Sequence, residues 1–272
     1  MSTRADTWRS RLLGAWSALA LIYLFVPILV VAAFSFNDNQ GRFNLSWEGF
    51  TLDHWLHPFA VPGIGEAVRN SLLIAAVSTA IALVLGVFMA LALVRHGFRG
   101  RSGVDLFVFL PLATPEVVLG ASLLGLFLTL GFATGFVTIV IAHVMFNVSY
   151  VVVTVKARLA GMDVHLEEAA ADLGASEWTT FRKVTLPLIA PGVGAAGLLA
   201  FALSFDDFVI TNFNAGSTVT FPLYIWGAAR VSIPPQVNVM ATLIFLVTLA
   251  LMIATVAQGR RAERTAAVRP GS

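Results

Sequence analysis

The chain has 272 residues, of which 58% are hydrophobic and only 12% charged, with no cysteine and a formal net charge of +2. A soluble domain carries about 25% charged residues, so a single water-soluble core is excluded, and the absence of cysteine excludes disulfides and thiolate-bound metals. Several uncharged runs reach the roughly 20 residues that an α-helix needs to cross about 30 Å of hydrocarbon. The class is therefore an all-α polytopic membrane protein whose first partner is the lipid bilayer, and no nucleic-acid partner is expected.

Hydropathy predicts six transmembrane helices over 13–36, 68–94, 105–129, 132–155, 191–211 and 237–257, within a single membrane domain spanning 1–272. The first run follows Arg4, Arg9 and Arg11, an arrangement that also opens a signal peptide. Its apolar stretch exceeds the 7 to 15 residues of a signal core, so it reads as a retained helix. With both ends inside, the inner segments hold 14 of the 17 basic residues, and only Arg42, Arg69 and Arg230 fall outside. The positive-inside rule then expects both termini in the cytoplasm. The outer segment 37–66 is polar and contains Trp47 and Trp55, which read as interfacial anchors. A second outer segment, 212–236, includes an apolar stretch from Phe221 to Arg230 suited to a short interfacial helix. The tight turn around Gly131 predicts that the third and fourth spans are antiparallel neighbours.

The inner loop over 157–190 is long for a protein whose other connections are short, and a loop of that length needs a reason. His165 to Leu173 is rich in helix formers and ends at Gly174, the residue type of a left-handed C-cap. Ser176 can cap a second helix, which the pattern carries toward Thr185 and stops at Pro187. The expected product is a helix-turn-helix knob at the membrane surface. Glu168 and Asp172, four residues apart, share one face of its first helix.

The same loop resembles the EAA loop of type I ABC importer permeases, in which E-A-A is followed after three residues by G and after nine more by I-x-L-P. Here stand Glu168-Ala169-Ala170, Gly174 and Val184-Thr185-Leu186-Pro187, with valine for isoleucine as the one departure. The competing reading is an amphipathic linker carrying the motif by chance, but the match falls on the side and between the spans where the family has it. The resemblance implies a coupling helix that docks into an ATPase subunit. It also implies a complex of two ATPase subunits, a second permease subunit and an extracytoplasmic substrate-binding protein.

A phosphate-binding loop needs G-x-x-x-x-G-K-[ST]. The only lysines are Lys156 and Lys183, and neither follows a glycine. The chain is thus expected to bind no cofactor and to perform no catalysis of its own, with ATP and Mg on the partner ATPase.

Ionisable residues within spans are costly and default to functional hypotheses. Glu116 falls about 16 Å into the third span at 1.5 Å per residue, after Pro111 and Pro115, which distort a helix and free carbonyls. It reads either as a cation ligand or as a hydrogen-bonded structural carboxyl. Asp206 and Asp207 lie about 22 to 24 Å beyond Pro191, positioned to attract a cation or to end the helix. His143 and Asn147 share a face of the fourth span and are candidates for the substrate path, the alternative being the interhelical hydrogen bonding that such residues commonly provide.

The segments LPLATPEVVLGASLL (110–124), SFDDFVITNF (204–213) and PQVNVMATLIF (235–245) are similar to spermidine/putrescine permeases. This implies an elongated cationic solute, for which carboxylates and aromatic faces form a suitable lining. Related permeases carry opines, iron, thiamine or phosphonates. From another class, a cation-coupled secondary transporter would use Glu116 as a relay but leaves the EAA loop unexplained. A scaffold subunit without a pathway of its own is the third reading.

Overall fold

The computed structural model describes residues 4–39 and 41–267. Among them the fold is helical throughout, with two isolated β-bridges as the only strand-type pairing. The helices are α1 (Arg4–Phe34), α2 (Asp53–Leu56), α3 (Ile64–Arg95), α4 (Arg101–Ala113), α5 (Glu116–Thr129) and α6 (Phe136–Ala160). They are followed by α7 (His165–Asp172), α8 (Glu177–Thr180), a π turn (Phe181–Thr185), α9 (Leu186–Asp206), α10 (Val209–Asn214), α11 (Phe221–Val231) and α12 (Pro235–Ala267). Four described helical stretches are long and apolar enough to cross a bilayer: Arg11–Phe34, Ile64–Arg95, Phe136–Ala160 and Glu177–Asp206. The pair α4 and α5 makes a fifth if counted as one span, and Pro235–Ala250 is a shorter apolar helix. Of the basic residues assigned to the inner side, Arg269 lies outside the described residues.

Contacts gather the chain into two units. In the first, which joins the two ends of the chain, α1 packs along α12 and α2 rests on the start of α12. The polar segment after α1 is folded by its own amides. Asn37 is fully buried, donates to Asn44 Oδ1 (2.6 Å) and to the Ser46 carbonyl (2.7 Å), and accepts from the Glu48 amide. Phe36 is stacked between Phe50 and Trp55, and the Trp55 indole N–H donates to Ser35 Oγ. Trp55 is therefore half-buried in the segment's own aromatic stack, while Trp47 is half exposed and meets Phe34 edge-on.

The second unit, Gly65–Trp226, is centred on α6, which lies against α9, α4 and α10. One apolar cluster joins Ala82, Val87, Ala90 and Leu93 of α3 to Val151, Val155 and Leu159 of α6 and to Ile189, Ala196 and Ala200 of α9. Close approach depends on small residues, as is usual where lipid supplies no hydrophobic driving force between helices. A Cβ added to Gly86 would stand 2.5 Å from Val151 Cγ1, and one on Gly197 would stand 3.1 Å from Leu83. A second cluster joins Leu119, Leu123 and Phe127 of α5 to Ala142 and Phe146 of α6 and Ile210 of α10.

Three expectations from the sequence need correction. The stretch 105–129 is two helices meeting at 108°, not one rod, so a depth for Glu116 counted along a straight helix does not follow. Pro115 is the cause. It disfavours the helical region for the residue before it and offers no N–H, so Thr114 is extended (φ −86°, ψ 131°) and α4 ends there. The stretch 191–211 likewise breaks, at Asp207 (φ −63°, ψ 119°), and its helix begins upstream of 191. Finally, Pro187 does not stop the second helix of the 157–190 loop, which runs on unbroken into α9. The π turn absorbs the proline: the Leu186 N–H reaches back five residues to the Phe181 carbonyl, and Pro187 sits in the first turn of α9, where a missing N–H is tolerated.

Candidate functional site

Two regions of the second unit bring the sequence-selected residues together. The first is formed by the two helix breaks. The half-helices that follow them, α5 and α10, pack on each other. Gly120 makes this possible, since a Cβ there would lie 2.8 Å from the Phe213 ring and 3.2 Å from the Ile210 Cα. The Asn214 amide donates to the Gly120 carbonyl and fastens the pair. Glu116 opens α5 one turn before that contact, exposed and without a hydrogen-bond partner among the described residues.

The two adjacent aspartates differ. Asp206, the last residue of α9, is exposed and has no partner among the described residues. Asp207 is fully engaged: its carboxylate accepts from the Ile210 and Thr211 amides, from Thr211 Oγ1 at 2.7 Å, and faces His143 Nε2 at 3.2 Å. It thus satisfies N–H groups left open where α10 starts, as an aspartate at a helix N-terminus does. His143 spans three elements. Nδ1 lies 2.6 Å from Ser204 Oγ of α9, Nε2 lies 3.0 Å from Thr211 Oγ1 of α10, and Ser204 Oγ continues to Ser78 Oγ of α3 at 3.0 Å. Asn147, one turn along α6, is not part of this network. Its side chain is fully buried, and both amide atoms lack a partner among the described residues.

The second region is the 157–190 loop. α7 ends as the composition requires: the Gly174 N–H bonds the Ala171 carbonyl and the Ala175 N–H the Ala170 carbonyl, with Gly174 at φ +80°. Ser176 caps α8 by accepting from the Thr179 amide. Of the motif residues, Glu168, Ala169, Asp172, Gly174 and Pro187 are exposed, whereas Ala170, Val184 and Leu186 are half-buried. Glu168 Oε2 pairs with His165 Nδ1 at 2.8 Å, and this contact, followed by the nearby Asp163 and Glu168 charges, raises the His165 pKa above its ordinary 6.5. Two apolar side chains also stand open beside the motif, Leu173 at 90% and Trp178 at 63% exposure.

Sequence reasoning missed Glu167, Arg95 and Thr185. Glu167 Oε2 lies 3.0 Å from Arg95 Nε at the end of α3, and Oε1 accepts from Thr185 Oγ1 at 2.7 Å. The available signal was positional: Glu167 and Glu168 are adjacent on a helix and so must face different surroundings. Ser204 stood inside a quoted segment but carried no mark of its partnership with a histidine 61 residues earlier.

The sequence profile described as "Binding-protein-dependent transport system inner membrane component" matches residues 82–265, which include both breaks and the loop. Among curated proteins, the chain is 38% identical over 243 residues to the spermidine/putrescine transport system permease protein PotC of Escherichia coli (strain K12), covering 89% of this chain and 91% of that one. It is 38% identical over 234 residues to the putrescine transport system permease protein PotI of the same strain, covering 83% of each. Among solved structures, the fold is similar to a chain of a bacterial ABC transporter involved in import of the acidic polysaccharide alginate, with a TM-score of 0.69, 16% identity and coverage of 94% and 98%. With a matching profile over most of its length and relatives at this identity, the chain belongs to the inner membrane components of binding-protein-dependent transport systems, the permease subunits of ABC importers.

Proposed function

We propose that this permease carries a small elongated cation of the polyamine class, and that the two helix breaks form part of its path. The observation that carries the reading is the packing of α5 on α10, each the second half of a broken helix, with Glu116 and Asp206 exposed at the breaks and unpartnered among the described residues. Discontinuous helices in transporters offer backbone carbonyls and helix ends to a solute. At each break a partially negative helix C-terminus, of α4 or α9, meets a partially positive N-terminus, of α5 or α10, so the preference for a cation rests on the Glu116 and Asp206 carboxylates. The names of the relatives, spermidine/putrescine and putrescine permeases, support the same substrate class.

In this reading the 272 residues act as one membrane domain. The bent pair counts as one span and the apolar start of α12 as another, giving six spans with both termini in the cytoplasm. The 157–190 loop is then cytoplasmic and docks through Glu168, Ala169, Ala170, Asp172 and Gly174 into one of two ATPase subunits, with Val184, Leu186 and Pro187 setting its exit into α9. Leu173 and Trp178, apolar and open, suit such a groove. ATP and Mg reside on the ATPase, a second permease subunit completes the path, and a binding protein delivers the solute from outside. His143, Asp207 and Ser204 hold the walls of the path in place.

The test is ATPase activity of the assembled complex in liposomes, with its binding protein offered spermidine, putrescine, and neutral and anionic solutes in turn. Stimulation confined to polyamines is the expected result. Stimulation by a neutral or anionic solute alone overturns the cation assignment.

A further inference from the structure

We propose that Glu167, rather than the neighbouring motif residue Glu168, is the positioning residue through which the 157–190 loop moves the membrane helices. The inference rests on the coupling role assigned to that loop above. The two glutamates have opposite environments. Glu168 is 62% exposed, sits at the rim of a cavity between α3 and the loop and pairs, among the described residues, with His165 of its own helix, so it stays open to whatever docks there. Glu167 is 19% exposed and turned inward, and its two carboxylate oxygens reach two different elements, Arg95 at the end of α3 and Thr185 at the end of the π turn.

What lies around this tie gives it mechanical weight. A cavity of about 740 Å³ opens between the last turns of α3 and the loop, lined by Phe88, Leu91 and Arg95 on one side and by Glu167, Ala171 and Trp178 on the other. The two elements are therefore not packed flat on each other, and the Glu167–Arg95 pair bridges the gap. An interior filled to normal density would transmit a push through many contacts; here the Phe88–Phe181 ring contact joins α3 to the π turn and the Glu167–Arg95 pair joins α3 to α7, so a push on α7 falls on the charged pair. At the second oxygen, Thr185 is 3% exposed and closes the turn in which the helical ladder is rewired around Pro187. π turns of this kind are local departures from the regular ladder and recur at functional sites. A displacement of α7 thus reaches α3 through Arg95 and α9 through Thr185, using one carboxylate. Arg95 depends on it as well: its Nε and Nη2 are both buried without a hydrogen-bond partner among the described residues, so the ion pair with the Glu167 carboxylate, 3.0 Å from Nε, is what offsets the buried charge.

The experiment uses the full complex with its ATPase and binding protein in liposomes, with radiolabelled putrescine as probe, and reads solute moved per ATP hydrolysed together with stimulation of ATPase by the binding protein. Glu167→Gln keeps an oxygen for Thr185 and removes the charge facing Arg95. It is expected to assemble with the ATPase and to lose about tenfold in both ratios, within the range of coupling energies that single residues carry. Arg95→Gln should reproduce the loss. The double variant should be no worse than either single one, as for two residues acting through one contact, and additive losses overturn the proposal. If Glu167→Gln fails to assemble, Thr185→Val, which deletes one hydroxyl, reads the other half of the tie and must lower both ratios. Gly174→Val separates this proposal from the reading beneath it. If Gly174→Val lowers coupling and Glu167→Gln does not, Glu167 is not the transmitter and the loop keeps its role. If neither variant changes coupling, the loop assignment falls and the proposal falls with it.

Discussion

Nε2 of His143 on α6 lies 3.2 Å from Oδ2 of Asp207 at the end of α9, and both side chains are less than a tenth exposed. The pair ties a continuous helix to a broken one, and the same imidazole also meets Ser204 and Thr211. Interhelical hydrogen bonds in a membrane are worth about 0.6 kcal/mol each. With three partners at stake, His143→Leu should destabilise the protein by about 2 kcal/mol, measured as a lower Tm of the detergent-solubilised complex. An unchanged Tm would show that the network does not hold the break.

Asp206 and Asp207 should respond differently to loss of charge, although they are adjacent. Asp206→Asn removes an exposed carboxylate that has no partner among the described residues and should raise the KM for polyamine uptake by about fivefold, the upper end for an exposed ion pair, at normal yield. Asp207→Asn strips charge from a carboxylate with four donors around it and should instead lower Tm. Equal effects on uptake and none on stability would contradict the division of roles.

Gly174 has φ +80° and no atom within 4 Å of an added Cβ, so what opposes substitution is backbone conformation and not space. Left-handed geometry costs a non-glycine residue about 1 to 2 kcal/mol, and a β-branched side chain is among the worst there. Gly174→Val should shift the end of α7 and lower solute transport per ATP, with Gly174→Ala intermediate. Uptake and ATPase assays on the same vesicles decide it.

The His165–Glu168 pair predicts a pH dependence. The His165 pKa in the folded loop lies above 6.5, first because of its bond to Glu168. Linkage then requires that the pair's contribution to α7 be complete below about pH 6.5 and be lost as pH rises through the elevated folded value. Histidine NMR titration should give His165 a higher pKa in the native protein than in Glu168→Gln. Identical values would show that the pair does not form in solution.

Gly86 meets Val151 where α3 crosses α6, with 2.5 Å available to a Cβ. Overpacking of this kind typically costs about 1 to 3 kcal/mol. Gly86→Ala should lower Tm by that equivalent, and adding Val151→Ala should recover most of it, because the shortened side chain vacates the space. No recovery in the double variant would place the strain elsewhere.

The amino-acid sequence by itself determined the all-helical membrane class, the loop motif and both of its caps, because each depends on residues close together in the chain: apolar runs, Glu168-Ala169-Ala170, Gly174 and Ser176. It also marked Pro111 and Pro115 as disturbing their helix. It did not say that Pro115 would fold one span back by 108° whereas Pro187 would be passed over. Both prolines remove the same N–H. The difference lies in what surrounds the freed carbonyls, an extended Thr114 in one case and a π turn in the other. Nor did adjacency reveal that Asp206 is exposed and Asp207 engaged, or that Glu167 is turned inward while Glu168 is largely exposed. Those distinctions are decided by the distant partners His143 and Arg95, which only the packing of α3, α6 and α9 brings within reach, joined by Thr211 and Thr185, four and eighteen residues away, where the chain turns at the break and through the loop.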